Sequence, residues 1–398
     1  MAEGKGAAPL EGLRVLDLSR MLAGPFCTAL LADLGAEVIK VETPGRGDDA
    51  RHFAPFRAGE SAYFMLINRG KKSVTLNLKD PRGVKLLHRL AETSDAVVEN
   101  FRPGVAARLG AGYEDLSRIN PRLVYASISG FGQDGPLAHR PAYDIVAQAM
   151  SGLMSMTGAP DGPPTRVGES YGDLVGGLFA SWSILAALQG RGRTGRGQHL
   201  DIAMTDSLFS MMVTALSLEL YGDEPARRIG NRHPMSSPYD AYPARDGHVI
   251  IASANEAIFA RFAEAIGRPE LAADPRFGTD ALRIANEPAL CAIVTEWTAT
   301  RSVAEAVAAL DAAGVPASPV LSVAGAVASE HVAARGLLAT ARHPVAGEIP
   351  TMRQPVLFSE APPRAPEPAP TLGQHTQETF GAFLDASEID ALIRDGVI

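Results

Sequence analysis

The chain has 398 residues, 46% hydrophobic and 21% charged, with a formal net charge of −8. That is an ordinary globular composition, long enough for a large core and two domains. The acidic balance argues against a nucleic-acid or polybasic membrane surface, while leaving room for a local basic patch that holds a small anion. Cys27 and Cys291 lie far apart with no metal-type spacing, which fits a reducing compartment without a disulfide framework. The opening "MAEGKGAAPLEG" has no apolar signal core, and no run reaches about 18 uninterrupted apolar residues. The expectation is a soluble cytoplasmic protein with neither nucleic acid nor membrane as partner.

From Leu13 the chain alternates strand and helix signals. "LRVLDLS" reads as a short aliphatic strand, and "AGPFCTALLADLG" as a helix with Pro25 near its first turn and Gly35 beyond its end. "AEVIKVE" is the next strand, and this β-α-β order predicts parallel pairing. "KKSVTLNL" is a further strand. "DPRGVKLLHRLAETS" is a helix with Asp80 as N-cap and Pro81 at its first position. "DAVVEN" and "RLVYASISG" continue the alternation, so the first 130 or so residues read as an open, doubly wound α/β domain. Over residues 172–190, Leu174, Leu178, Phe179, Trp182, Leu185 and Leu188 recur at helical spacing and predict one apolar face. "GRGRTGRGQ" breaks that helix as a solvated turn, "HLDIAM" is a strand, and Thr205–Tyr221 is another apolar helix. "YDAYPARDGHVIIASAN" reads as a hairpin around "RDG", followed by an Ala-rich helical stretch. "EIPTMRQPVLFSEAPP" returns to strand and loop. A Pro-rich linker then precedes a last short helix, "SEIDALIRDG".

Several chemistries are set aside on motif grounds. No GxGxxG follows the first strand, where "SRMLAGP" stands instead, and there is no GxxxxGK[ST] phosphate loop. The nine histidines are scattered, with no HxxxH or HExxH pair, so no metal site is expected. A serine hydrolase lacks its GxSxG elbow. What stands out is Asp173 in "GESYGDLVGG", a carboxylate set among glycines and apolar residues, which must be hydrogen-bonded, paired or put to use. It either caps the helix that follows or acts as a nucleophile, and a helix N-terminus can serve both ends. Gly172, Gly176 and Gly177 leave room for a ligand or another backbone to come close.

Six segments occur in order: "LRVLDLSRMLAGPFCTALLADLGAEVIKVETPGRGDDAR", "INRGKKSVTLNLKDPRG", "DAVVENFRPGVAARLG", "RPAYDIVAQAMSGLMSMTG", "GDLVGGLFASWSILAAL" and "TGRGQHLDIAM". With the closing "LGQHTQE", they make nearly the whole chain resemble the class III CoA-transferases, the family that includes formyl-CoA and carnitine CoA-transferases and the α-methylacyl-CoA racemases. The resemblance implies an α/β fold. A large Rossmann-like CoA-binding domain carrying the catalytic aspartate would span residues 1–227, with a smaller α+β domain at 228–330. Residues 331–398 would return to the large domain, and two copies would interlock as a homodimer.

The resemblance further implies that Asp173 attacks the thioester of an acyl-CoA and passes through a mixed anhydride to an aspartyl-CoA thioester. A free carboxylic acid then takes the CoA. Acyl-CoA is thus a substrate, and no tightly bound cofactor is expected. CoA would lie against Arg20, Leu22, Ala23, Asn100, Phe101 and Arg102, with Lys71, Lys72 and Arg108 toward its phosphates. Each of those cations could equally be a solvated surface charge. The chain departs from the family in having Thr43 after Glu42, where a relative has arginine, and in lacking a glycine run in "VIIASANEA".

At "RPAYD" the racemases carry a histidine where this chain has Tyr143, a poor base near neutrality with its reference pKa of about 10. Tyr143 therefore favours transfer over racemisation, as a hydroxyl near the acyl oxygen or as a packing aromatic. "MSMTGAPDGPPTRVGES" resembles transferases for small dicarboxylates, in which Arg166 could pair with a distal carboxylate or with a surface acid. The alternatives are an α-methylacyl-CoA epimerase without the usual histidine and, in another class, a non-catalytic CoA-binding protein.

Overall fold

The structure is a computed structural model that describes residues 8–223, 225–361 and 364–398. Six aliphatic segments pair as one parallel sheet: β1 (Arg14–Asp17), β2 (Glu37–Glu42), β3 (Lys71–Thr75), β4 (Ala96–Glu99), β5 (Val124–Ser129) and β6 (His199–Ala203). Their spatial order is β3-β2-β1-β4-β5-β6, with Val15 opposite Val38 on one side and Ala96 on the other. Every residue of β4 and β5 is buried, as a sheet covered on both faces requires. The order reverses between β1 and β4. In the Rossmann arrangement this is the point where neighbouring loops part at the carboxyl ends of the strands and leave a crevice.

Helix α1 (Ala23–Asp33) follows β1, and α2 (Pro81–Glu92) starts with the expected Asp80 cap, whose side chain accepts the Arg82 N–H. One face of the sheet packs against α1, α3 (Asp144–Met150), α4 (Tyr171–Thr194) and α5 (Met204–Met211), around Cys27, Leu31, Val98, Ile128, Ile184 and Leu208. The other face packs Leu16, Ile39, Val74, Leu87 and Tyr125 against Phe380, Ile389, Val397 and Ile398 from the end of the chain. That end also covers the β3 edge. Ser73 C=O accepts the His375 N–H, and the Thr75 N–H reaches Thr376 Oγ1, so the edge strand is not left open.

Helix α4 departs from the expected apolar face. Gly172, Val175, Gly176, Gly177, Ala180, Ser181, Ile184 and Ala187 are its buried residues, whereas Leu178 and Trp182 are about half exposed. Helix α1 is the reason: a Cβ on Gly177 would sit 2.5 Å from the Ala23 carbonyl oxygen, so only small residues fit on that side. By length and composition α4 could cross a membrane, yet its small-residue face belongs to this core.

The chain forms two compact units. One holds the described residues up to Leu153, Val167–Val213 and His331–Ile398; the other holds Met154–Arg166 and Thr214–Glu330. The second unit thus begins before residue 228 and takes in an earlier excursion. Its pieces are tied by the Gly230 N–H to the Gly158 carbonyl and by Arg228 to the Ser155 carbonyl. The expected hairpin is present there, β7 (Tyr239–Ala244) against β8 (Gly247–Ala252), with β9 (Ala317–Pro319) on the other side of β8. Helices Glu256–Ala265, Glu287–Ala299 and Val303–Ala312 pack on it through Phe259, Phe262, Leu290, Trp297 and Leu310.

Candidate active site

The turns after β1, β4 and β5 wall an open cleft of about 980 Å³, lined among others by Arg20, Met21, Ala23, Asn100, Phe101, Arg102, Arg140, Tyr143 and Asp173. It lies at the sheet's switch point, as open α/β sheets lead one to expect. A larger hollow of about 1590 Å³ shares Arg20, Asp49 and Phe101 with it and continues along the strand ends past Thr43, Arg46, Leu76 and Lys79.

Asp173 is the third residue of α4, inside the first turn, and Ser170 holds the cap position. It is therefore not the cap that its local sequence allowed. Asp144, at the start of α3, instead accepts the Gly172 N–H at 2.7 Å, and its other oxygen takes Gln148 Nε2 at 2.8 Å. Burial and then the Asp144 charge push the Asp173 carboxyl up to about 7, against a small opposing contribution from the Ala23 backbone N–H. The glycines resolve the same way: Gly177 admits the α1 backbone rather than a ligand.

Of the residues picked from sequence, Arg20, Ala23, Asn100, Phe101, Arg102 and Tyr143 meet Asp173 around the cleft. Asn100 also clamps the turn, accepting the Arg20 N–H at 2.9 Å and donating to the Arg20 carbonyl at 2.7 Å. Arg20 lies over the Phe101 ring at 5.7 Å, and Tyr143 is 75% exposed, so it is no packing aromatic within this chain.

Four other residues are placed elsewhere. Leu22 is buried against Phe64 and Met65. Lys71 is wholly buried, donating to Asp17, the Pro25 carbonyl and Asn68. Burial lowers its ammonium to about 8, although the Asp17 charge opposes this. Lys72 is bound by Glu37 and Glu378 near the start of β3, the sheet end away from the cleft. Arg108 is exposed on the short helix Val105–Arg108, outside the cleft lining. The expected phosphate contacts of Lys71 and Lys72 are thus corrected: Lys71 is spent inside the fold, and Lys72 sits in a partly exposed ion-pair cluster at the wrong end of the sheet.

Three contributors escaped the sequence reading. Arg140 lines the cleft, and the "RPAY" stretch was its only signal. Tyr63, on the short helix Ala62–Ile67, has its phenol pushed up to about 12 by burial, then by Asp173 and Glu169. No local pattern announces that proximity. Met21 has φ +68 in a turn without glycine, and nothing in "SRMLAGP" announces it. Among the described residues, no group of three or more His, Cys, Asp or Glu side chains is placed to hold a metal ion.

The model of CoA-transferase family III matches residues 10–376. The chain belongs to that family. As a family III CoA-transferase, it is 48% identical to the acetyl-CoA:oxalate CoA-transferase of Acetobacter aceti over 80% of its own length and 82% of the relative's. It is 41% identical to the succinyl-CoA:glutarate CoA-transferase of Mus musculus, over 98% and 90%. Among solved structures, a CAIB/BAIF family protein from Brucella suis superposes with TM-score 0.83 at 38% identity, covering 94% of this chain and 99% of that one. Rv3272 from Mycobacterium tuberculosis does so at 0.83 and 33%, covering 95% and 100%.

Proposed function

We propose that this CoA-transferase moves CoA from succinyl-CoA, or a similar small acyl-CoA, to a free dicarboxylic acid through a covalent intermediate on Asp173. The observation that carries the reading is a half-buried carboxylate, Asp173, in a switch-point cleft that also presents Arg20, Arg102 and Arg140. The arginines suit a polyphosphorylated thioester, and the adjoining hollow gives a long ligand room to extend along the strand ends. The relatives named for oxalate and glutarate support a dicarboxylate acceptor.

An Asp173 oxygen attacks the thioester carbon, the C–S bond breaks, and CoA leaves as thiolate with the electron pair. The thiolate then attacks the aspartyl carbon of the mixed anhydride, freeing the donor acid and forming aspartyl-CoA thioester. The acceptor carboxylate repeats the first step on that thioester. The thiolate finally takes the acceptor acyl group and restores Asp173. Each step exchanges one activated acyl bond for another, so no redox partner enters. Water would hydrolyse the anhydride, which gives the half-buried setting of Asp173 its use.

We further propose that the protein works as a homodimer in the cytoplasm. Leu178, Trp182, Phe209 and Met211 stand about half exposed on the adjoining helices α4 and α5, an apolar face that a second copy would cover.

Intact-protein mass after brief mixing with succinyl-CoA tests the mechanism. The wild type should gain CoA covalently on the peptide containing Asp173, and Asp173→Ala should gain nothing. No adduct on the wild type, with exchange of the α-proton of a branched acyl-CoA in deuterated solvent, would instead support the epimerase.

A further inference from the structure

The turn from β1 into α1 is held by side chains at five successive backbone groups. The Ser19 N–H goes to Asp17 Oδ1 at 2.9 Å, and the Ser19 carbonyl takes Lys40 Nζ at 2.8 Å. Asn100 binds both the N–H and the carbonyl of Arg20. The Met21 N–H donates to Asp48 Oδ1 at 3.0 Å, an oxygen that also accepts the Ala50 N–H. Lys40 and Asp48 meet at 2.9 Å with side chains 0% and 1% exposed. The turn they hold carries Met21 at φ +68, a left-handed conformation uncommon for a residue with a Cβ. Arg20 and Met21 line the cleft, and two residues on is Ala23, whose N–H faces Asp173.

A buried ion pair is an expensive structural tie, because an apolar pair of similar size often stabilises as well or better. What an apolar pair cannot do is bind a carbonyl with one member and an N–H with the other. Here the pair does both, on residues 19 and 21 of one turn, and so sets the direction in which the chain enters α1.

We propose that Lys40 and Asp48 are positioning residues for the attack on the thioester, holding Met21 left-handed so that the Arg20–Ala23 turn keeps its place against Asp173. The inference rests on the reading of Asp173 as nucleophile. Neither residue lines the cleft around Asp173; Asp48, its side chain 1% exposed, only borders the adjoining hollow, and both act through the turn.

The test follows adduct formation on Asp173 by rapid mixing of the full-length protein with succinyl-CoA, read by mass at several concentrations. Asp48→Asn keeps an oxygen for the Met21 N–H but removes the charge that holds Lys40. It should slow adduct formation at saturation by about 10- to 100-fold, as small misplacements near reacting atoms do. The half-saturating concentration should move less than about 3-fold, because the cleft still binds CoA. Adding Met21→Gly to Asp48→Asn should recover part of the loss, since glycine takes positive φ without restraint. A folded Asp48→Asn protein at the wild-type rate overturns the proposal, and so does a slow one that Met21→Gly leaves equally slow.

Met21→Val provides a second arm without touching the buried charges. A β-branched residue resists positive φ, so this variant should be about tenfold slower, given how steeply rate falls with misplacement. If Asp48→Asn does not fold, a wild-type rate for Met21→Val overturns the proposal by itself. Absence of any adduct on the wild type is a separate result, which removes the nucleophile reading rather than the positioning.

Discussion

Asp173 has to lose its proton before it attacks. With its carboxyl pushed up to about 7 by burial and by Asp144, adduct formation at succinyl-CoA well below saturation should fall about tenfold per pH unit below about 7 and level off above it. Glu99 is another carboxyl pushed to about 7, mainly by burial, and it accepts the Phe101 N–H at the cleft wall. Glu99→Gln should therefore leave the inflection of the pH–rate curve in place, and a shift would mean that Glu99 sets it. Stability runs the other way. The folded chain disfavours ionised Asp173, so this group contributes stability at low pH and loses it as pH rises through its folded value. Asp173→Asn should melt above the wild type at about pH 8 by on the order of 1 kcal/mol, after allowance for partial exposure, with a smaller gap near about pH 5. Residue type and neighbours were enough to pick out Asp173. They misplaced Lys71, because "NRGKK" reads as a charged surface while its partner, Asp17, lies 54 positions earlier.

Helix α4 carries the site because a second helix comes close to it. Gly177→Ala would set a methyl 2.5 Å from the Ala23 carbonyl, and a backbone atom cannot swing aside. Thermal unfolding should register a loss of about 1–3 kcal/mol, the usual cost of overpacking. Adduct formation should slow as well, since Ala23 moves away from Asp173. An unchanged melting temperature and rate would mean that the close approach of α1 at Ala23 does not hold the site. The existence of α4 was legible from its apolar content, and so were the Asp80–Pro81 start of α2 and the strands of the sheet. Its span was not, because the helix runs on through Gly190–Thr194, a stretch that reads as a solvated turn, where Arg191 pairs with Asp95. Which face of α4 turns inward was not legible. Apolar periodicity assumes that large side chains fill a core, and here the neighbouring backbone already occupies that space.

The chain's last 68 residues, 331–398, complete the large unit rather than decorate it: they cover the β3 edge and bury Phe380, Ile389, Val397 and Ile398. Deleting them should yield insoluble chain on expression, for want of core as much as of a dimer contact. A soluble, active monomer from that deletion would contradict both roles. Trp182 is 53% exposed on the outer side of α4, so Trp182→Glu should leave the fold intact by circular dichroism while shifting the sedimenting species from dimer to monomer. A wild type that already sediments as a monomer would count against the homodimer.

The sequence by itself determined the family, the strand–helix alternation that yields a parallel sheet, and the aspartate at the head of the long helix. These rest on local signals, such as aliphatic runs, caps and fixed-spacing motifs, which read the same in any context. Only the tertiary structure decided which arginines reach the cleft, which lysines are consumed in the interior, and that Met21 is turned left-handed. Each of these depends on a partner tens or hundreds of positions away. Burial and ion pairing are relations between residues that the fold alone brings together.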